Sequence, residues 1–134
     1  MAALLDTSIV VRYLTGDPPR LAARAARIID SVETLALPDV VIAETAFVLA
    51  SVYGVARPKL VEALVALLQK RNVVTLPPDK GAVIQALMMC RPSKRVSFAD
   101  AMVWAVARST RAEAVYSFDE RFPDDGIELR RDLA

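Results

Sequence analysis

The sequence predicts an α/β domain with a mostly parallel sheet and helices on both of its faces. Apolar runs that are too short for helices alternate along the chain with longer segments whose apolar residues recur every three or four positions. Alternating strands and helices form parallel sheets, because each connecting helix crosses one face of the sheet. At 134 residues the chain has the length of one domain with its own core, so we expect a single domain over residues 1–134.

Five short apolar runs are predicted to be strands. They lie at residues 2–5, 35–37, 73–76, 114–117 and 127–129. The first run is followed at once by an acid, and its length is typical of a buried strand rather than of a helix. We expect the last run to be an edge strand.

Six segments are predicted to be helices. They cover residues 9–14, 19–31, 40–53, 58–70, 79–90 and 97–108. The third is apolar almost all round, so we expect it to be buried on most sides. The fourth is apolar over more than one face and is our candidate for a surface of self-association, which the 54% share of hydrophobic residues also favours.

The composition excludes several kinds of chemistry. The chain has no histidine, which rules out Ser-His-Asp and Cys-His catalysis and most zinc sites. The one cysteine, Cys90, can form no internal disulfide and fits a reducing compartment. The first residues lack the basic segment of a signal peptide, and acids interrupt the longest apolar stretches. We therefore expect a cytoplasmic protein with no membrane partner.

Two acids follow predicted strands directly. Asp6 comes after the first strand and Asp119 after the fourth. Ligands of open α/β sheets gather at the carboxyl ends of strands, so both acids stand where chemistry is expected. The alternatives are that Asp6 caps the next helix, as Thr7 or Ser8 could, and that Asp119 is a turn residue.

Two further acids lie in predicted helices. Glu44 sits in the apolar third helix, where a carboxylate is costly unless it is paired or bound to a cation. The alternative is that Glu44 lies on a narrow solvent-facing strip. Asp100 follows Ser97 by three residues, which is the spacing of an N-terminal capping box. A carboxylate in a first helical turn can also point past the helix end, so both roles are compatible.

If these four acids converge, they predict a site for a hard divalent cation. Neighbouring carboxylates repel one another and raise one another's pKa values, and a cation removes that cost. A set of oxygen ligands without His or Cys favours Mg²⁺ or Mn²⁺ over zinc. Mg²⁺ keeps several waters and pairs naturally with a substrate phosphate, so such a site supports hydrolysis of a phosphodiester.

Four segments along the chain together resemble the PIN-domain nucleases, and within them the VapC-type toxins of toxin–antitoxin modules. They are LLDTS at residues 4–8, AET at 43–45, FADA at 98–101 and SFDERF at 117–122. The resemblance implies a Mg²⁺- or Mn²⁺-dependent endoribonuclease whose acidic metal site is formed by Asp6, Glu44, Asp100 and Asp119. Thr7 and Ser117 match hydroxyl residues that accompany these acids, with Ser117 in place of the usual Thr.

The resemblance also implies a fold and partners. The fold is a three-layer α/β/α arrangement with a five-stranded sheet in the order 3-2-1-4-5, which places Asp6 and Asp119 at the point where connectivity reverses. The implied partners are RNA as substrate, a cognate antitoxin that covers the acidic groove, and a second copy of the chain in a homodimer.

The near-neutral charge is unusual for a protein that holds RNA. At a net charge of +1, a polyanion must be bound by a local patch. We expect the loop with Arg91, Lys94 and Arg95, which precedes the helix of Asp100, to supply much of the phosphate contact.

Two other functions fit part of the pattern. Aspartyl-phosphate proteins need a second acid next to the first or two residues on, and Thr7 and Ser8 occupy those positions. An inactive PIN-like module could bind RNA or a protein without cleaving it, but repelling carboxylates that face RNA phosphates would weaken such binding.

Overall fold

The protein is described by a computed structural model that covers residues 2–133. Within them, the strands are β1 (Ala3–Leu5), β2 (Leu35–Ala36), β3 (Val73–Val74), β4 (Val115–Tyr116) and β5 (Leu129–Arg130). They form one sheet in the order β3-β2-β1-β4-β5, and every neighbouring pair is parallel. The predicted fold class and strand order are confirmed.

β1 lies at the centre of the sheet, and this position explains why its sequence is entirely apolar. Leu4 pairs with Ala36 of β2 on one side and with Val115 of β4 on the other. All three residues of β1 are fully buried. A central parallel strand is covered on both faces, so a continuous apolar run is favoured over alternation. The order of the chain reverses between β1 and β4, which makes their carboxyl ends the topological switch point.

Six helices connect the strands within the described residues. They are α1 (Thr7–Thr15), α2 (Pro19–Ile29), α3 (Asp39–Ser51), α4 (Arg57–Leu68), α5 (Lys80–Cys90) and α6 (Phe98–Thr110). α1 begins two residues earlier than predicted, because Asp6 occupies its N-cap position. It ends at Gly16, whose φ of 70° is a left-handed conformation that glycine adopts without strain. None of the described helices has both the length and the apolar content needed to cross a bilayer.

The expectation that α3 is buried on most sides is wrong for the single chain. Only Val41, Thr45 and Leu49 of this helix are buried, whereas Phe47 is 70% exposed. α3 packs against α1, α4 and α6, and its three buried residues are spaced four positions apart, which places them on one side of the helix. The apolar residues on its other side are therefore left facing solvent.

α4 shows a similar division. Leu60, Leu64 and Leu67 are buried, and they lie three or four residues apart on one face. Val61 and Val65 are 47% and 45% exposed on another face. The helix thus has an uncovered apolar strip of the kind that the sequence predicted.

β5 lies slightly later than predicted. The N–H of Ile127 donates to the carbonyl oxygen of Asp124 over 3.1 Å, and Gly126 has a φ of 72°, so a turn extends to residue 127. The strand begins at Leu129 and includes Arg130. The Arg130 side chain contacts carboxylates that come from three different segments, namely Glu33, Glu113 and Glu128.

Candidate acidic active site

Asp6 is held at the switch point of the sheet. It follows β1 directly, with an extended backbone (φ −90°, ψ 162°), and occupies the N-cap position of α1. Its backbone N–H donates to the carbonyl oxygen of Tyr116 over 3.0 Å, which ties it to the end of β4. The side chain is only 1% exposed. The two central strands therefore fix this carboxylate in a buried position.

The Asp6 carboxylate is oriented by hydroxyl groups and does not cap the helix. Its Oδ2 accepts hydrogen bonds from Ser117 Oγ at 2.7 Å and from Ser8 Oγ at 3.2 Å. It makes no capping hydrogen bond to the backbone of α1. Its Oδ1 is buried and has no hydrogen-bond partner among the described residues. A buried carboxylate oxygen without a partner is costly, and one oxygen of Asp6 is thus free to bind a ligand.

Ser8 and Ser117 form a bridge between the ends of β1 and β4. Ser8 Oγ accepts from the N–H of Phe118 over 2.9 Å, and Ser117 Oγ accepts from the N–H of Asp119 over 3.0 Å. Each hydroxyl can therefore use its single hydrogen for Asp6. The sequence singled out Ser117 but not this role of Ser8. The hydroxyl of Thr7, by contrast, is buried without a hydrogen-bond partner in the described part of the chain.

Asp119 lies half-buried in the loop that follows β4. Its Oδ1 accepts from the backbone N–H of Arg121 over 2.8 Å, which is the turn interaction named above as the alternative role. The turn holds Asp119 beside Ser117. A hydrogen bond between the carboxyl groups of Asp119 and Asp100 helps to raise the pKa of Asp100. The two roles of Asp119 are compatible.

Asp100 is a second acid whose pKa is raised in the folded chain. Ser97 caps α6 by accepting the N–H of Asp100 over 3.0 Å, which is one half of the predicted capping box. The Asp100 side chain is only 6% exposed. Burial, followed by the charge of Asp6 and a hydrogen bond to Asp119, raises the pKa of Asp100 to about 8. Asp100 is therefore largely protonated at neutral pH in the absence of a cation.

Glu44 completes the group from α3. Its side chain is half-buried, and its charge contributes to raising the pKa values of both Asp6 and Asp100. For Asp6, burial is the largest cause, opposed by the hydrogen bond from Ser117. The structure thus brings four separate segments of the chain into one electrostatic group, which we call the acidic cluster: Asp6, Glu44, Asp100 and Asp119.

The acidic cluster has the donor chemistry of a hard divalent cation. All its ligand atoms are carboxylate oxygens, and one buried oxygen of Asp6 has no partner among the described residues. Burial, together with the charge of Asp6, favours the protonated form of Asp100. In residues 2–133, however, no three acidic side chains are close enough together to hold one metal ion. The residue types fit such a cation, and the carboxylates would have to move closer to bind it.

The basic loop, Arg91, Lys94 and Arg95, lies between α5 and α6. All three side chains are exposed, and none of them pairs with a carboxylate within the described residues. Beside them is a cavity of about 560 Å³ that reaches the first residues of α6. The chain thus carries free positive charge next to the helix of Asp100.

The chain combines a parallel sheet between two layers of helices with buried carboxylates at the topological switch point of that sheet. These features define a class of α/β proteins that carry an acidic site at this position. The sequence model of one such family, the PIN domain, matches residues 3–126. The chain therefore belongs to the PIN domain family, and the resemblance seen in the sequence is confirmed.

Solved structures share this fold. VapC20 from Mycobacterium tuberculosis, a toxin that cleaves the sarcin-ricin loop, superposes with a TM-score of 0.74 at 24% identity, over 94% of this chain and 96% of that one. A chain of VapBC2 from Rickettsia felis, bound to a DNA fragment from its promoter, gives 0.65 at 16% identity, over 97% and 98%. FitAcB from Neisseria gonorrhoeae gives 0.63 at 18% identity, over 95% of each chain. No curated protein sequence matches the chain.

Proposed function

We propose that the protein is an endoribonuclease that depends on Mg²⁺ or Mn²⁺ and hydrolyses RNA phosphodiester bonds. The observation that supports this most is the acidic cluster, in which Asp6 and Asp100 are buried at the switch point of a PIN domain. Carboxylates that repel one another do not stabilise the fold, so their presence together favours a role in binding a cation.

In this proposal the four acids have distinct tasks. Asp6, Glu44, Asp100 and Asp119 would hold the cation, which would supply Lewis-acid activation of water and neutralise charge on the phosphate. Asp100 must give up its proton for binding, so binding is favoured as the pH rises towards 8. Ser117, together with Ser8, keeps Asp6 in a fixed orientation through the two hydrogen bonds to its Oδ2.

We further propose that the protein is the toxin of a toxin–antitoxin pair. One structural neighbour is a toxin that cleaves the sarcin-ricin loop, and another is VapBC2 bound to a DNA fragment from its promoter. The partner would be a cognate antitoxin that covers the acidic cluster and brings a basic residue to it. A homodimer in the cytoplasm is the assembly that we expect, and the basic loop is the proposed contact for RNA phosphates.

The test is cleavage of a structured RNA pool by the purified chain with Mg²⁺ or Mn²⁺, with and without a chelator. We expect discrete cut ends that disappear with the chelator and fall by at least about 100-fold in Asp100→Asn, since a lost metal ligand removes most of the activity. The matched control is Asp124→Asn, a change at an exposed aspartate outside the cluster. Equal cleavage by the two variants would contradict the proposal.

A second readout separates an inactive RNA-binding module from a nuclease. Mn²⁺ should raise the melting temperature of the wild type in a concentration-dependent way, because a ligand of the folded state stabilises it. The stabilisation should be absent in Asp6→Asn. A module that binds RNA without cleaving it would show neither the stabilisation by Mn²⁺ nor the cut ends.

A further inference from the structure

We propose that Phe98 and the cavity beside the basic loop bind one unpaired nucleobase of the RNA, next to the cleaved bond. We call this space the loop cavity. It is lined by residues 90, 91, 93, 94 and 96–98, and its volume is about 560 Å³. The inference rests on the proposed ribonuclease function and adds to it a determinant of substrate choice.

The first observation is the exposure of Phe98. This residue begins α6, yet its side chain is 68% exposed. The adjacent Ser97 caps the helix, so Phe98 is not needed for that purpose. An aromatic ring on a surface offers a flat face on which a base can stack, and such stacking tolerates any base.

The second observation is the charge around the same cavity. Arg91 and Lys94 line it together with Phe98, and Arg95 lies beside them in the loop. A ring flanked by unpaired cations is the combination that proteins use for single-stranded nucleic acid, since the cations hold the phosphates while the ring holds a base. A purely apolar partner would gain nothing from these three charges.

The third observation is the position of Phe98 relative to Asp100. Both lie in the first turn of α6, but residues two apart on a helix project about 200° apart around its axis. Phe98 therefore lies on a different side of α6 from the buried Asp100, and there it lines the loop cavity. The stacked base would belong to a nucleotide beside the cleaved phosphodiester rather than to the reacting group itself.

This arrangement favours an unpaired base over a duplex. The bases of an RNA helix are stacked on each other and cannot lie flat against a side chain unless they are extruded. We therefore expect cleavage in loops, bulges or single strands, and slower cleavage of the same sequence when a complementary strand pairs it.

The experiment compares Phe98→Leu with the wild type on an RNA oligonucleotide cut at one mapped site. Leu keeps the apolar character but has no ring face, so we expect kcat/KM to fall about 10-fold, within the range for loss of one stacked base. Phe98→Trp should keep or raise it. The control is Ile84→Ala, a change at an exposed apolar residue of α5, which should leave kcat/KM unchanged.

An abasic substrate makes the test specific to stacking. The kcat/KM of the wild type should fall by the same factor when the nucleotide beside the cut lacks its base. On that substrate, Phe98→Leu should have the same kcat/KM as the wild type. Equal kcat/KM for Phe98→Leu and the wild type on intact RNA would overturn the inference. It would also be overturned if Phe98→Leu lowered kcat/KM on the abasic substrate by the same factor as on intact RNA.

A binding measurement separates this inference from the nuclease proposal. An oligonucleotide with 2-aminopurine at the mapped position should lose fluorescence on binding to the wild type in chelator, and should lose much less with Phe98→Leu. Absence of any RNA cleavage by the wild type would sink the nuclease proposal, whereas cleavage without a Phe98-dependent fluorescence change would sink only the stacking inference.

Discussion

Asp100 is one of two acids, with Asp6, whose raised pKa makes the folded protein respond to pH. Its ordinary pKa is 3.8, and burial with the neighbouring charges raises it to about 8 in the folded chain. Between these values the folded state holds a proton that the unfolded chain has released. The free energy of unfolding therefore falls as the pH rises from about 4 to about 8, because there the folded state binds more protons.

This fall in the free energy of unfolding with rising pH predicts how Asp100→Asn should behave in the presence of a chelator. Asn has the shape of the protonated carboxyl without its charge, so the variant should melt close to the wild type at pH 5. At pH 8.5 it should melt higher, by roughly 4 °C or more, since about 1 kcal/mol corresponds to several degrees in a domain of this size. Differential scanning fluorimetry across this pH range measures the difference.

Asp124→Asn is the control for that series, because Asp124 is exposed and lies outside the acidic cluster. Its melting temperature should follow the wild type at every pH. A constant difference between Asp100→Asn and the wild type from pH 5 to 8.5 would show that Asp100 is not protonated in the folded chain.

At the scale of the elements, the loop between α5 and α6 sets how binding depends on salt. Each cation that neutralises a phosphate contributes about 0.7 to the slope of log affinity against log salt for single-stranded nucleic acid. Replacing Arg91, Lys94 and Arg95 with Gln should therefore flatten the slope by about 2 and weaken RNA binding at low salt. Fluorescence anisotropy in chelator at several salt concentrations measures this.

The control for the loop variant is a second triple variant that loses the same number of positive charges from another part of the surface. Arg20 and Arg27 on α2 and Lys59 on α4 are exposed cations away from the loop. Their replacement with Gln should leave most of the slope in place. If the two triple variants gave the same slope, RNA would be held by overall charge and not by the loop.

The sequence alone predicts the elements well because its local signals agree. Pro19 begins α2 and Gly16 ends α1 in the structure as in the prediction. The role of Ser8 could not be predicted, since a hydroxyl after an N-cap residue ordinarily bonds its own helix. Only the pairing of β1 with β4 brings the N–H of Phe118 within its reach.

The sequence also could not predict the electrostatics of the acidic cluster. The order of the four acids along the chain is visible in the sequence, but the pKa of Asp100 depends on how deeply α6 packs against the rest of the molecule. The exposure of Phe47 was also missed, because an apolar helix face does not reveal whether its own chain or another one covers it.

At the scale of the whole molecule, these uncovered apolar faces favour self-association. Val61 and Val65 lie four residues apart on one face of α4 and are each nearly half exposed. Phe47 on the neighbouring α3 and Val52, which directly follows that helix, are each 70% exposed. Burying such side chains against a second copy would remove apolar surface from water at about 25 cal/mol per Å².

We therefore expect Val61→Glu combined with Val65→Glu to convert a dimer into a monomer. The two carboxylates would have to be desolvated in an interface on α4, and that cost exceeds the apolar gain. Sedimentation velocity at several protein concentrations measures the change. The wild type should also melt at a higher temperature as its concentration rises, because dissociation accompanies unfolding.

The control for this pair is Ile84→Glu combined with Leu87→Glu, two exposed apolar residues of α5. If α4 forms the interface, this variant should sediment like the wild type, since α5 packs chiefly against α6 whereas α4 packs against α3. Monomerisation by the α5 variant alone would move the interface to that helix. A wild type that remains monomeric at about 100 times the concentration used for cleavage would contradict self-association, and the exposed faces of α3 and α4 would then be tested for binding of the proposed antitoxin.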